Sequence, residues 1–150
     1  MPKATAIGVD TPFLVAHTLL EHPGHEGARR HLSEFIGRGA LVALCPVVIN
    51  EFLHVVTDPR RFERPLSFSD ASRIATGWLE SRETRFFPAD DPSTRLQIEW
   101  LARHRLGRKR IHDTLIAAIY HSAGVETILT TNTRDFAVFE RFNILDFTIA

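Results

Sequence analysis

Three carboxylates occupy positions where the surrounding pattern turns them toward a core rather than toward water. Asp10 follows the apolar run Ala4 to Val9 at once, the place where an α/β protein sets a catalytic carboxylate at the end of its first strand. The same residue would serve as N-cap of a helix opening at Thr11-Pro12. Glu51 lies four residues after Val47, three after Val48 and four before Val55, inside the apolar stripe of a helix. An ionised carboxylate in that stripe needs an Arg partner, hydrogen bonds or a cation, so a structural ion pair and a ligand role both stand. Asp113 precedes Ile116 and Ala117 by three and four residues, which also aims it inward, while its place in a first helical turn offers a plainer electrostatic account. The stretch Thr130-Thr131-Asn132-Thr133-Arg134-Asp135 follows another apolar run, with Asn132 or Thr133 as helix cap and Asp135 in the first turn as its simplest reading.

Oxygen-bearing side chains set after successive strands of one parallel sheet meet in one crevice. Several like charges gathered there cannot all stay ionised without a compensating cation, and all-oxygen ligation selects a hard ion such as Mg²⁺ or Mn²⁺. Such a centre is suited to phosphoryl chemistry. An acidic pocket that handles a polyanion needs a basic rim, and Arg103, Arg105, Arg108, Lys109 and Arg110 lie just before Asp113. A solvated helix end followed by a loop explains the same run equally well. Arg60, Arg61 and Arg64 form a second, weaker candidate. His22 and His25 flank Pro23-Gly24 without a Cys or a second ligand pair, which reads as a surface turn and not a zinc site.

The elements that must position these groups are short and alternate. Ala4 to Val9 and Ala40 to Leu44 read as buried strands, with Ala28, Leu32, Phe35 and Ile36 at helical spacing between them. Pro46 opens a helix that runs to Asp58-Pro59, and Asp58 to Pro65 is loop. Ser67 to Asp70 offers capping side chains for a helix whose Ala71, Ile74, Ala75, Trp78 and Leu79 keep the spacing of a core-facing stripe. Arg85 to Pro88 is a candidate strand, Ser93 to Leu106 and Ile111 to Ala123 are helices, and Val125 to Thr130 is strand-like. A short helix over Phe136 to Phe142 and an apolar run from Ile144 to Ile149 finish the pattern. This alternation predicts an α/β fold with a mostly parallel sheet and a site that follows strands one, two and four.

Composition narrows the function further. A chain of 150 residues that is 44% hydrophobic fits one domain able to bury its core without disulfide or structural metal. The longest apolar run, Ala40 to Ile49, is half the length a membrane helix requires, the first residues form no secretory apolar segment, and the single Cys45 has no partner. A cytoplasmic protein with no membrane attachment is the expectation. Net charge is zero, and all but two of the 18 basic residues are Arg, so any binding of nucleic acid depends on charge distribution. Neither G-x-G-x-x-G nor G-x-x-x-x-G-K-[ST] occurs, which excludes dinucleotide and P-loop chemistry. Pro12 stands where a haloacid-dehalogenase-like phosphatase would carry a second Asp, and Lys3 and Lys109 do not provide the late Lys of a receiver domain.

Taken together, Gly8-Val9-Asp10-Thr11, Asn50-Glu51-Phe52, the run from His112 to Ala118 and the run from Leu129 to Phe136 resemble the PIN domain family, specifically VapC-type toxin ribonucleases. The loop Asp58 to Pro65 resembles a segment common in a subset of these toxins. The resemblance covers essentially the whole chain, and it implies a three-layer α/β/α sandwich around a parallel sheet of about five strands. It implies that Asp10, Glu51 and Asp113 hold Mg²⁺ or Mn²⁺ for phosphodiester hydrolysis, with Thr130 as a supporting hydrogen-bond partner. The fourth acidic position of the family falls on Asn132, with Asp135 three residues on as a possible substitute, and Pro12 replaces a usual Asn. Arg108, Lys109 and Arg110 become candidates for RNA contact, a VapB-like antitoxin becomes the expected partner, and a homodimer the expected assembly. A PIN-like module that binds RNA or protein without cutting is the alternative.

Overall fold

The computed structural model describes residues 5–149. Five parallel strands form one sheet in the order β3-β2-β1-β4-β5: β1 Ala6–Val9, β2 Leu41–Leu44, β3 Thr84–Phe86, β4 Thr127–Leu129 and β5 Asn143–Leu145. The helices are α1 Thr11–Thr18, α2 His25–Gly37, α3 Pro46–Val56, α4 Phe68–Glu80, α5 Asp91–Arg103, α6 Ile111–Ser122 and α7 Thr133–Ala137, with a 3₁₀ turn at Arg108–Arg110 before α6. Right-handed crossovers put α1 to α4 over one face and α5 to α7 over the other, in keeping with the packing of α1 on α2 and α3, α3 on α4, and α6 on α5 and α7. The expected three-layer α/β arrangement is therefore present.

The chain winds outward from β1 through β2 to β3 and then returns to β4 on the other side of β1. That reversal leaves a crevice at the carboxyl ends of β1 and β4, where open α/β sheets bind ligands. The central strands are buried on both faces and accordingly read as plain apolar runs, whereas β3 and β5 are exposed edges of only three residues each.

Several boundaries depart from the sequence reading. Two helices, not one, separate β1 from β2. The first opens at Thr11-Pro12 as expected, but five of its eight residues are buried, so it is apolar nearly all round and no stripe separates it from the helix that follows. Helix α4 buries only Ala71 and Ala75, while Ile74 and Trp78 are half-buried and Leu79 is exposed. It packs on α3 and the edge strand β3 rather than on the middle of the sheet, so a narrow stripe suffices. Helix α5 starts at Asp91, two residues early, because Asp90 and Ser93 exchange hydrogen bonds at 2.9 Å in a capping box. Helix α7 covers Thr133–Ala137 instead of Phe136 to Phe142, and Glu140, at φ 53°, turns the chain into β5. The last strand is correspondingly shorter than the apolar run from Ile144 to Ile149.

One contact ties the centre of the sheet to α6. The buried Tyr120 hydroxyl lies 2.5 Å from the Val9 carbonyl oxygen and 2.9 Å from that of Ala43, bridging β1 and β2 just before the crevice. Its ring occupies the space a side chain at position 8 would need: a Cβ on Gly8 would lie 2.8 Å from Tyr120 Cδ2 and 3.2 Å from Val125 Cγ1. Gly8→Ala is expected to destabilise the protein by about 1–3 kcal/mol through overpacking, measured by urea unfolding. Unchanged stability would mean that the Tyr120 ring swings aside freely and does not clamp the strands.

Candidate active site

Asp10 does both things its sequence position offers. It caps α1 through Oδ1, which accepts from the Phe13 N–H at 3.1 Å, and its Oδ2 accepts from the Thr130 hydroxyl across the β1–β4 boundary. Thr130 Oγ1 in turn accepts from the Asn132 N–H at 2.8 Å, so a continuous chain of bonds joins the two strand ends. Only 1% of Asp10 is exposed. Burial pushes its carboxyl from 3.8 up to about 7; the Thr130 and Phe13 bonds oppose that rise and the nearby Asp113 charge adds to it.

Glu51 and Asp113 reach the same crevice from α3 and α6, two helices in contact with each other. Burial, and then the charges of Glu51 and Asp135, raise Asp113 to about 6 against the opposing effect of Arg110 and His112. Glu51 is also raised by burial, with His112 and the Thr11 hydroxyl working in the opposite sense. No Arg or Lys pairs with Glu51 among the described residues, which removes the structural ion pair as its explanation. Glu51 Oε1 and Thr11 Oγ1 are both buried, and neither completes a hydrogen bond of normal geometry. Two orphaned oxygens beside carboxylates that raise the charge cost at Asp113 and Asp10 are costly in a metal-free protein. A hard divalent cation would relieve both costs, and the donor set fits one. In the present side-chain arrangement no three His, Cys, Asp or Glu residues among those described stand close enough to grip an ion together.

The crevice has a volume of about 460 Å³ and is lined by Thr11, Pro12, Val15, His22, Glu51, His54, Val55, Arg61, Phe62, Lys109, His112, Asp113 and Asn132. Asn132 stands at the N-terminus of α7, but its side chain caps nothing. Asp135 is engaged away from the crevice, where Arg110 donates to its backbone carbonyl and sits 3.4 Å from its Oδ1. Arg110 is thus mostly buried, whereas Arg108 and Lys109 are exposed. The sequence reading passed over His54, which shares a helix face with Glu51 three residues earlier and was findable on that ground. It also passed over Thr11, Val15 and Phe62 as members of the crevice. Phe62 belongs to a loop with no periodicity, so only the tertiary structure brings it there.

The PIN domain profile matches residues 7–144, and the chain belongs to the PIN domain family. Ribonuclease VapC24 of Mycobacterium tuberculosis is 27% identical over 135 residues, which span 89% of this chain and 90% of that protein. Among solved structures, M. tuberculosis VapC20, described as a Sarcin-Ricin loop cleaving toxin, is similar with a TM-score of 0.65 at 21% identity, covering 81% of this chain and 86% of that one. VapBC-1 from nontypeable Haemophilus influenzae gives a TM-score of 0.67 at 12% identity, covering 97% and 100%. At those identities the structural likeness speaks for the fold.

The raised Asp10 carboxyl makes stability depend on pH in a definite direction. A carboxyl that holds its proton more tightly when folded favours the fold at low pH, and the advantage is lost as pH climbs from about 3.8 through about 7. In chelator, unfolding free energy is expected to fall by roughly 2–4 kcal/mol more across that window in wild type than in Asp10→Asn. Asn retains the cap on Phe13, although the Thr130 hydroxyl loses its acceptor. Parallel pH profiles for the two proteins would show that Asp10 is not the buried acid responsible.

Proposed function

We propose that this protein is the toxin of a VapBC-type toxin–antitoxin pair, an endoribonuclease that hydrolyses RNA phosphodiester bonds with a divalent cation, Mg²⁺ or Mn²⁺. The observation that carries the proposal is the pair Glu51 and Asp113 in one crevice, with buried Asp10 close enough to Asp113 for their charges to interact and Glu51 Oε1 unpartnered among the described residues. Family membership and the likeness to Ribonuclease VapC24 support it.

Asp10, Glu51 and Asp113 would hold the cation. When bound, the ion supplies positive charge against the charge that develops on the phosphate and makes an attacking water more acidic. The residues do the positioning. Thr130 and the Phe13 N–H fix the Asp10 carboxylate in a single orientation between β1 and β4. Asn132 contributes a neutral amide where the family places an acid, able to hydrogen-bond the substrate. Asp135 acts at one remove, anchoring Arg110 and adding negative charge near Asp113. Arg108 and Lys109, both exposed, attract the flanking phosphates. Arg110 supports them from behind, its guanidinium being engaged with Asp135.

The expected partners are RNA and a small VapB-like antitoxin that covers the crevice, with a homodimer as the assembly and the cytoplasm as the setting. No helix among the described residues is long and apolar enough to cross a membrane.

The test is incubation of total RNA with antitoxin-free protein, in Mg²⁺, in Mn²⁺ and in chelator. Discrete fragments are expected with metal only, and Asp10→Asn, Glu51→Gln and Asp113→Asn should each lower the rate at least about a hundredfold while the protein stays folded. Intact RNA after treatment with folded wild type in both metals would overturn the proposal in favour of a module that binds without cutting.

A further inference from the structure

The loop joining α3 to α4 is built more firmly than a connection requires. The Asp58 side chain is buried and accepts from the Arg60 N–H at 2.9 Å and from Arg60 Nε at 3.2 Å, while Arg61 Nε lies 3.5 Å from its other oxygen. The Arg61 N–H bonds the Asp58 carbonyl at 3.1 Å, and the Leu66 N–H returns to the Val56 carbonyl at 2.8 Å, closing the loop at its base. Pro59 and Pro65 restrict the backbone at both ends. This bracing places Arg61 and Phe62 in the wall of the crevice that holds Glu51 and Asp113.

The wall carries a chemistry that phosphate handling does not need. Phe13, Phe139, Phe142 and Phe147 pack their rings on other aromatic rings, whereas Phe62, half-buried against the core, lines the crevice beside Pro12, Val15 and Val55. Two cations line the same crevice: Arg61, 57% exposed, on the loop, and Lys109 before α6. Acids, apolar side chains and cations lining one crevice match a single-stranded polynucleotide, which alternates charged phosphates with flat apolar bases.

We infer that Phe62, braced by the Asp58 loop and flanked by Arg61, is a stacking platform for the unpaired nucleobase next to the bond that is cut. The inference rests on the ribonuclease reading and extends it to substrate recognition: the carboxylates act on a phosphodiester common to all RNA, and Phe62 demands that a base be splayed out beside it. Single-stranded segments and loops then bind, and continuous duplex is refused.

The test uses a single-stranded RNA hexamer, spanning a mapped cleavage site where total RNA yields one and of mixed sequence otherwise, intact or with an abasic nucleotide at each position in turn. Cleavage in Mg²⁺ or Mn²⁺ and equilibrium binding in Ca²⁺ are compared for wild type, Phe62→Ala, Phe62→Leu and Phe62→Trp. Phe62→Ala is expected to bind the intact hexamer roughly ten- to hundredfold more weakly, with Phe62→Leu recovering part of the loss and Phe62→Trp most of it. An abasic nucleotide at the stacked position should cost wild type a similar factor and cost Phe62→Ala little more. Wild-type affinity in Phe62→Ala, or full additivity of the two losses, would overturn the platform. Absence of cleavage by wild type would count against the nuclease reading alone, because the binding comparison still decides whether Phe62 stacks a base.

Discussion

A carboxylate buried where two strands diverge is the constraint around which this protein is organised. Asp10 lies at the end of β1, almost without exposure, and its two oxygens are fixed by α1 and by the residue after β4. Burying a charge is unfavourable, and here the cost is compounded by the charge of Asp113, which in turn faces that of Glu51. The surrounding structure is rigid enough to impose this arrangement. Tyr120 bridges the carbonyls of β1 and β2 immediately behind the acid, and Gly8 leaves room for its ring. Stability is thereby exchanged for a crevice that keeps un-neutralised acids beside one another.

The same economy explains the neighbouring charges. Arg110 lies close enough to oppose the accumulation of negative charge at Asp113, yet its guanidinium is held by Asp135 and does not fill the crevice. Neutralising Glu51 with an arginine would have satisfied the fold and closed the site. The arrangement instead leaves Glu51 Oε1 and Thr11 Oγ1 without a hydrogen bond of normal geometry among the described residues, the kind of local dissatisfaction expected at a functional centre.

Much of this was legible in the residue order because it rests on local rules. Glu51 interrupts an apolar stripe, Asp113 sits three and four residues before buried positions, and Asp10 ends a strand; periodicity alone turns each inward. The parallel sheet followed from short apolar runs alternating with helices. Other features depend on packing at a distance. Helix α1 is buried nearly all round, so it shows no period, and α4 carries a wide apolar stripe of which two alanines are buried. The division of labour within the basic run before α6 was equally hidden, since nothing local distinguishes the engaged Arg110 from the exposed Arg108 and Lys109. Phe62 belongs to the crevice only because Asp58 folds its loop back.

The bond between Thr130 and Asp10 spans 120 residues of sequence. β4, which carries Thr130 and Asn132 to the crevice, pairs directly with β1, so the first strand must wait for nearly the last before the acids are held in place. During synthesis from the amino end, a chain still lacking its final quarter has Asp10 and Glu51 but neither Asp113 nor the hydroxyl that locks Asp10. The cluster around Asp10 is therefore incomplete until translation is almost finished, and the interval between emergence of its first acid and its completion is set by the length of the chain between them.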